Sequence, residues 1–105
     1  MKGGGGLAIR HTENTDRLFR AVLLLRSVEE CYAFFEDLCT VKELNDLGQR
    51  LEVALLLRRG LNYQQIGERA GVSSATISRV KRCLENGSGG YHSALERMEE
   101  GEHVY

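Results

Sequence analysis

The 105 residues contain no proline, and no segment alternates strictly between polar and apolar side chains. The first absence removes the strongest helix breaker. The second removes the usual sign of a half-buried strand, so the expected fold is all-helical. No apolar stretch is long enough to cross a bilayer, and Met1-Lys2-Gly3 is not followed by the apolar core of a signal peptide. The reading is therefore a cytoplasmic protein with no membrane partner. Cys31, Cys39 and Cys83 form an odd set without Cys-x-x-Cys spacing, which fits reduced, buried thiols in a cytosolic protein. His11, His92 and His103 are scattered and offer no metal template. Cys39 as a nucleophile would need a base, and no histidine lies in the helical region around it. No nucleophile, base and orienting group converge, so no catalytic residue, metal or cofactor is expected.

What the chain does carry is an uneven distribution of charge. The formal net charge is −1, yet Arg58, Arg59, Arg69, Arg79, Lys81 and Arg82 face only Glu68 and Glu85 between positions 58 and 85. That segment is +4 and the remainder −5. A basic face on an acidic body is the electrostatic footprint of a DNA reader.

The same segment has the pattern of two helices meeting at a corner. Asn62 can cap the first, with Gln65 reaching back. Ile66 and Ala70 share one face. Gly67 leaves room where the helix backbones should come closest, and Gly71 enters a left-handed position without steric cost. Val72 plugs the corner, and Ser73 or Ser74 caps the second helix. Ile77, Val80 and Leu84 give that helix a buried stripe. Ser74, Ala75 and Ser78 then face outward, small enough to let it enter a major groove and read base edges. Arg59, Gln64, Ser73, Thr76, Arg79, Lys81 and Arg82 complete the candidate DNA-binding set, mainly on phosphates. A helical hairpin used only for packing is the plainer reading, but it does not explain why corner, caps and stripe all hold one register.

Six helices are expected. Residues 1–14 read as a loose arm beginning with the Gly3–Gly6 run, and 101–105 as a loose tail. Between them, 15–100 form one domain with its reader at 63–85. The first helix, Asp16 to Arg26, is apolar nearly all round and should be buried on most sides. Ser27 with Glu30 and Thr40 with Glu43 have capping-box spacing for the second helix, to about Leu38, and the third, Val41 to about Arg59. Leu44, Leu47, Leu51, Ala54, Leu55 and Leu56 supply the third helix's apolar face. Gly60 ends it, and Gly87, Gly89 and Gly90 precede a last helix, about Tyr91 to Glu100. So many short helices leave more apolar surface than one small chain covers. Residues 16–59 are expected to interlock with a second copy in an isologous homodimer, which would offer two reading helices to a palindromic site in double-stranded DNA.

With the helices placed, the chain resembles the Trp-repressor family, most of all its YerC/YecD branch, over about Asp16 to Met98. Leu47-Gly48-Gln49-Arg50, Leu56-Leu57-Arg58-Arg59-Gly60 and Ala75-Thr76-Ile77-Ser78-Arg79 carry the resemblance. It implies an intertwined all-α homodimer with a helix-turn-helix tilted by a bound amino acid. The family's two ligand-sandwiching arginines map onto Arg50 and Arg79, and a threonine near the start of the long helix maps onto Thr40. The chain departs from the family pattern at Val80, where the repressor has glycine, and at Cys83, where it has a serine that helps bind the ligand's ammonium group. Thr40, Arg50, Arg79, Val80 and Cys83 thus outline an effector pocket in which L-tryptophan fits poorly. Arg50 and Arg79 can instead serve phosphate, or pair with acids such as Glu52 and Glu85. The expected function is a transcriptional regulator, a repressor by occupancy of its operator. The alternative is a DNA-recognition module of a larger machine, of sigma-factor or transposase type, without an effector.

Overall fold

The computed structural model describes residues 9–102. They contain six α-helices and no strand: α1 (Glu13–Leu23), α2 (Val28–Leu38), α3 (Val41–Arg58), α4 (Tyr63–Ala70), α5 (Ser74–Asn86) and α6 (Gly90–Glu102). Contacts group them into two compact units, residues 9–46 and 47–102.

In the first unit, α1 begins and ends three residues before the expected bounds. Its start is set by Thr12, whose hydroxyl accepts from the Thr15 N–H at 3.1 Å. Glu13 and Asp16 then lie in the first turn, where the helix end is partially positive. Its finish is set by the Leu24 and Leu25 amides, which turn back to Ala21 and Val22 at 3.1 Å each, a tightened final turn. Residues 13 and 14 of the expected loose arm are therefore helical, and residues 1–8 lie outside the described residues.

Ser27 accepts from the Glu30 amide at 3.1 Å, as its spacing requires, but the Glu30 carboxylate returns to the Arg26 amide at 3.0 Å. Thr40 and Glu43 do close a reciprocal box, at 3.0 and 2.9 Å. That pair holds the Glu43 carboxyl below its ordinary range, the Thr40 amide acting first and its hydroxyl second.

The expected burial of α1 is not met within this chain. No residue of α1 or α2 is buried, and Leu23 and Leu24 are 82% and 76% exposed. Phe19, Val28, Tyr32, Leu38 and Val41 are exposed as well. Phe34 and Phe35 stack edge to face at 5.3 Å.

The second unit holds the core. Val53, Ala54 and Leu56 of α3, Ile66 of α4, Ile77 and Val80 of α5 and Leu95 of α6 form one water-free cluster. Leu51, Leu55, Leu57, Ala70, Val72, Leu84 and Tyr91 pack around it. The α3 stripe differs from expectation at two places: Val53 is fully buried and Leu47 is exposed. Gly60 takes φ 88° at the end of α3.

Gly67 does not play its expected role. A Cβ there would stand 3.7 Å from the Val72 carbonyl oxygen, an ordinary contact, so close approach does not demand glycine. At the other end, α6 runs on through residues 101 and 102 of the expected tail, and 103–105 lie outside the described residues.

Leu95 is the test of this core, because it is the contribution of α6. Leu95→Ala should cost about 2–5 kcal/mol of unfolding free energy, read as a lower denaturant midpoint. A loss below about 1 kcal/mol would show that α6 is not part of the cooperative unit.

Candidate nucleic-acid interface

The corner between α4 and α5 is built from local chemistry. Asn62 accepts from the Gln65 amide and Gln65 returns to the Asn62 amide, both at 2.9 Å. Those bonds satisfy two of the amides that open α4. Gly71 closes the helix at φ 67°, a backbone that costs other residues roughly 1–2 kcal/mol. Ser73, not Ser74, is the cap of α5 and accepts from the Thr76 amide at 3.2 Å. Ile66, Ile77 and Val80 are 0–1% exposed. The inward face is therefore settled, and with it the direction of the outward one.

Ser74, Ala75, Ser78, Arg79, Lys81 and Arg82 are all exposed on α5, as are Gln64 on α4 and Arg59 just beyond α3. Thr76 is half-buried, and its hydroxyl lies 3.3 Å from that of Ser73. Ser73 and Thr76 thus serve the cap, whereas the other members of the candidate set are exposed on the surface. Arg58 belongs with neither group, because its guanidinium meets Glu99 of α6 at 2.8 Å. The basic segment accordingly presents one cation fewer than its sequence counts.

Tyr63, absent from the expected set, reaches α5 from α4. Its hydroxyl lies 3.1 Å from that of Ser78, and the Lys81 ammonium lies 5.9 Å from the centre of its ring. Fifteen positions separate Tyr63 from Ser78, and no local spacing rule connects them.

The expected effector residues divide. Thr40 is engaged with Glu43 in the α3 cap. Val80 packs into the core and does not stand over an open space. Arg50 is half-buried, while Arg79 and Cys83 are exposed. The expectation of buried thiols thus fails at Cys83, and Cys31 and Cys39 are only half-buried. Among the described residues the ion pairs are Lys42–Asp46 and Arg58–Glu99. Neither Arg50 nor Arg79 pairs there with Glu52 or Glu85.

Arg50, Arg79 and Cys83 converge electrostatically on Tyr91. Burial pushes the Tyr91 phenol above its ordinary range and Cys83 adds to the rise, while Arg50 and Arg79 oppose it. The neighbouring His92 bonds the Leu84 carbonyl in the last turn of α5 at 2.7 Å. Both residues tie α6 to α5, and the sequence had shown Tyr91 only as an apolar position. Among the described residues no three histidine, cysteine or acidic side chains come together to hold a metal. No helix there is long and apolar enough to cross a membrane.

Comparison with known proteins places this arrangement. The family model described as Trp repressor protein matches residues 13–99. The uncharacterised protein YerC of Bacillus subtilis (strain 168) is 54% identical over 87 residues, covering 83% of this chain and 84% of its own. A candidate Trp repressor from Staphylococcus aureus superposes with a TM-score of 0.83 at 48% identity, over 85% of this chain and 89% of its own. A TrpR like protein from Eubacterium eligens ATCC 27750 gives 0.82 at 46%, over 84% and 91%.

The surroundings of Tyr91 can be checked by absorbance titration of the four tyrosines. The raised phenol keeps its proton as pH climbs past the ordinary tyrosine range, so Tyr91 should titrate late and vanish from the curve in Tyr91→Phe. The protonated phenol favours the fold: that contribution is whole below the ordinary phenol pKa and is lost as pH rises through the raised one. Arg50→Gln should delay the titration further and Cys83→Ser should advance it. An unchanged curve in both variants would show that neither group acts on Tyr91.

Proposed function

We propose that this chain, which belongs to the Trp repressor family, is a cytoplasmic, homodimeric regulator that reads a palindromic site in double-stranded DNA. Members of this family are regulators and not enzymes, and DNA-binding regulation is the coarse function that membership supports. The observation that carries the finer reading is the two-faced α5. Ile77 and Val80 are locked in the core while Ser74, Ala75 and Ser78 stand exposed beside Arg79, Lys81 and Arg82. Small hydroxyl and methyl groups can meet base edges, and the cations can hold phosphates on either side. Together α4, the Gly71 corner and α5 act as a helix-turn-helix. The regulator acts as a repressor by covering its operator.

The homodimer is supported by the apolar side chains that α1, α2 and the start of α3 leave in water. An exposed apolar surface of this kind marks an interaction face, and a second copy is the partner whose face matches it by symmetry. Sedimentation at micromolar concentration should give about twice the chain mass of 11.8 kDa. A stable, folded monomer under those conditions would remove both the dimer and the palindrome.

L-tryptophan is not required in this reading. Val80 occupies the core, and the Cys83 thiol is a weak partner for an ammonium group. Selection from a random duplex pool, with and without L-tryptophan, tests the whole reading. The same palindromic motif should emerge in both arms. Ser78→Ala should weaken preference at one base per half-site by about 1 kcal/mol. Lys81→Ala should weaken binding to every sequence and lower the salt slope by about one unit. Absence of any enriched motif would overturn the DNA reading, and a motif that appears only with L-tryptophan would overturn the effector-free one.

A further inference from the structure

The structure assigns to Tyr63 a positioning role in base recognition, an inference that rests on α5 being the DNA-reading helix. Tyr63 is the first residue of α4, directly after the N-cap Asn62 and inside the Asn62–Gln65 capping box. That box fixes the backbone from which its side chain departs. The phenol reaches α5 and meets two residues three apart on one helical face: Ser78 through its hydroxyl, 3.1 Å away, and Lys81 through its ring, 5.9 Å from the ammonium. One rigid side chain therefore orders both the residue expected to read a base and a cation expected to hold a phosphate.

The hydroxyl pair has a preferred polarity. A phenol is more acidic than an aliphatic alcohol and is the better donor. With Tyr63 donating to Ser78 Oγ, the serine proton is left to point away from the protein. Ser78 then enters the groove with its proton free and one of its two lone pairs already used, which favours purine N7, guanine O6 or thymine O4 over the amino groups of adenine or cytosine. A serine without this partner turns freely and accepts either kind of edge. The electron-rich ring face meanwhile attracts the Lys81 ammonium and holds a flexible side chain beside the same surface.

The test compares the full-length wild type with Tyr63→Phe, Tyr63→Leu, Ser78→Ala, Lys81→Ala and the pairwise combinations. Each is put through duplex selection and affinity measurement over a range of salt, with circular dichroism to confirm folding. Tyr63→Phe removes the hydroxyl and keeps the ring. It should lose about three- to tenfold discrimination, only at the base position that Ser78→Ala relaxes, with an unchanged salt slope. On a Ser78→Ala background it should lose nothing further. Tyr63→Leu should in addition lose about two- to fivefold affinity for every sequence, and that extra loss should disappear on a Lys81→Ala background.

A wild-type motif that persists unaltered in Tyr63→Phe overturns this inference alone. So does a Tyr63→Phe loss of equal size with Ser78 absent, since that would be a general effect of the fold. A wild-type chain that enriches no motif overturns this inference together with the DNA reading beneath it.

Discussion

Everything the second unit presents to its surroundings depends on Ile66, Ile77 and Val80 being shielded from water together. These three side chains, two from α5 and one from α4, leave a short helix no rotational freedom. A thirteen-residue helix is marginal by itself in water, so its orientation comes from packing. Once Ile77 and Val80 are inside, Ser74, Ala75 and Ser78 have only the outside left. Gly71 and the two caps set the angle at which the stripe meets the core, and Leu95 brings α6 against it.

The electrostatics follow from the same packing. Arg58 is drawn to Glu99 of α6. A partly exposed ion pair of this kind adds only about 0–1 kcal/mol of stability, so its larger consequence is to take one cation out of the exposed field. Lys81, resting near the Tyr63 ring, remains exposed and keeps its charge available. The field of unpaired cations is thus narrower than the basic segment of the sequence, and α5 supplies most of it.

The parts of this fold that were legible in the sequence are those fixed within four residues. Thr40 with Glu43, Asn62 with Gln65, the Ser73 cap and the Gly71 corner all satisfy backbone groups of their own turn. A short-range rule suffices for each. The start of α1 is not legible in the apolar run that opens at Leu18, because the Thr12 cap that sets it needs no apolar neighbour. A glycine in a helix suggests close approach whether or not any backbone arrives, and at Gly67 no approach demands it. Tyr63 with Ser78, and Arg58 with Glu99, are 15 and 41 residues apart. Such pairs exist only after the helices have packed, and no periodicity foretells them. The exposed apolar side chains of α1 and α2 show the same limit: hydrophobicity told that the face needs cover, not where the cover comes from.

The surroundings of Tyr91 bear on what a ligand near Arg50 and Arg79 would meet. An effector stabilises a reading geometry only by binding that geometry better than the alternatives. Here α6 already supplies contacts to α5 from within the chain. Leu95 is fully buried, His92 bonds the final turn of α5, and the Tyr91 phenol shares the neighbourhood of Arg50, Arg79 and Cys83. An intramolecular contact costs no association entropy and is present at every ligand concentration. It also raises the demand on any ligand approaching Arg50 and Arg79, which would have to gain more from the two guanidiniums than the half-buried phenol gives up.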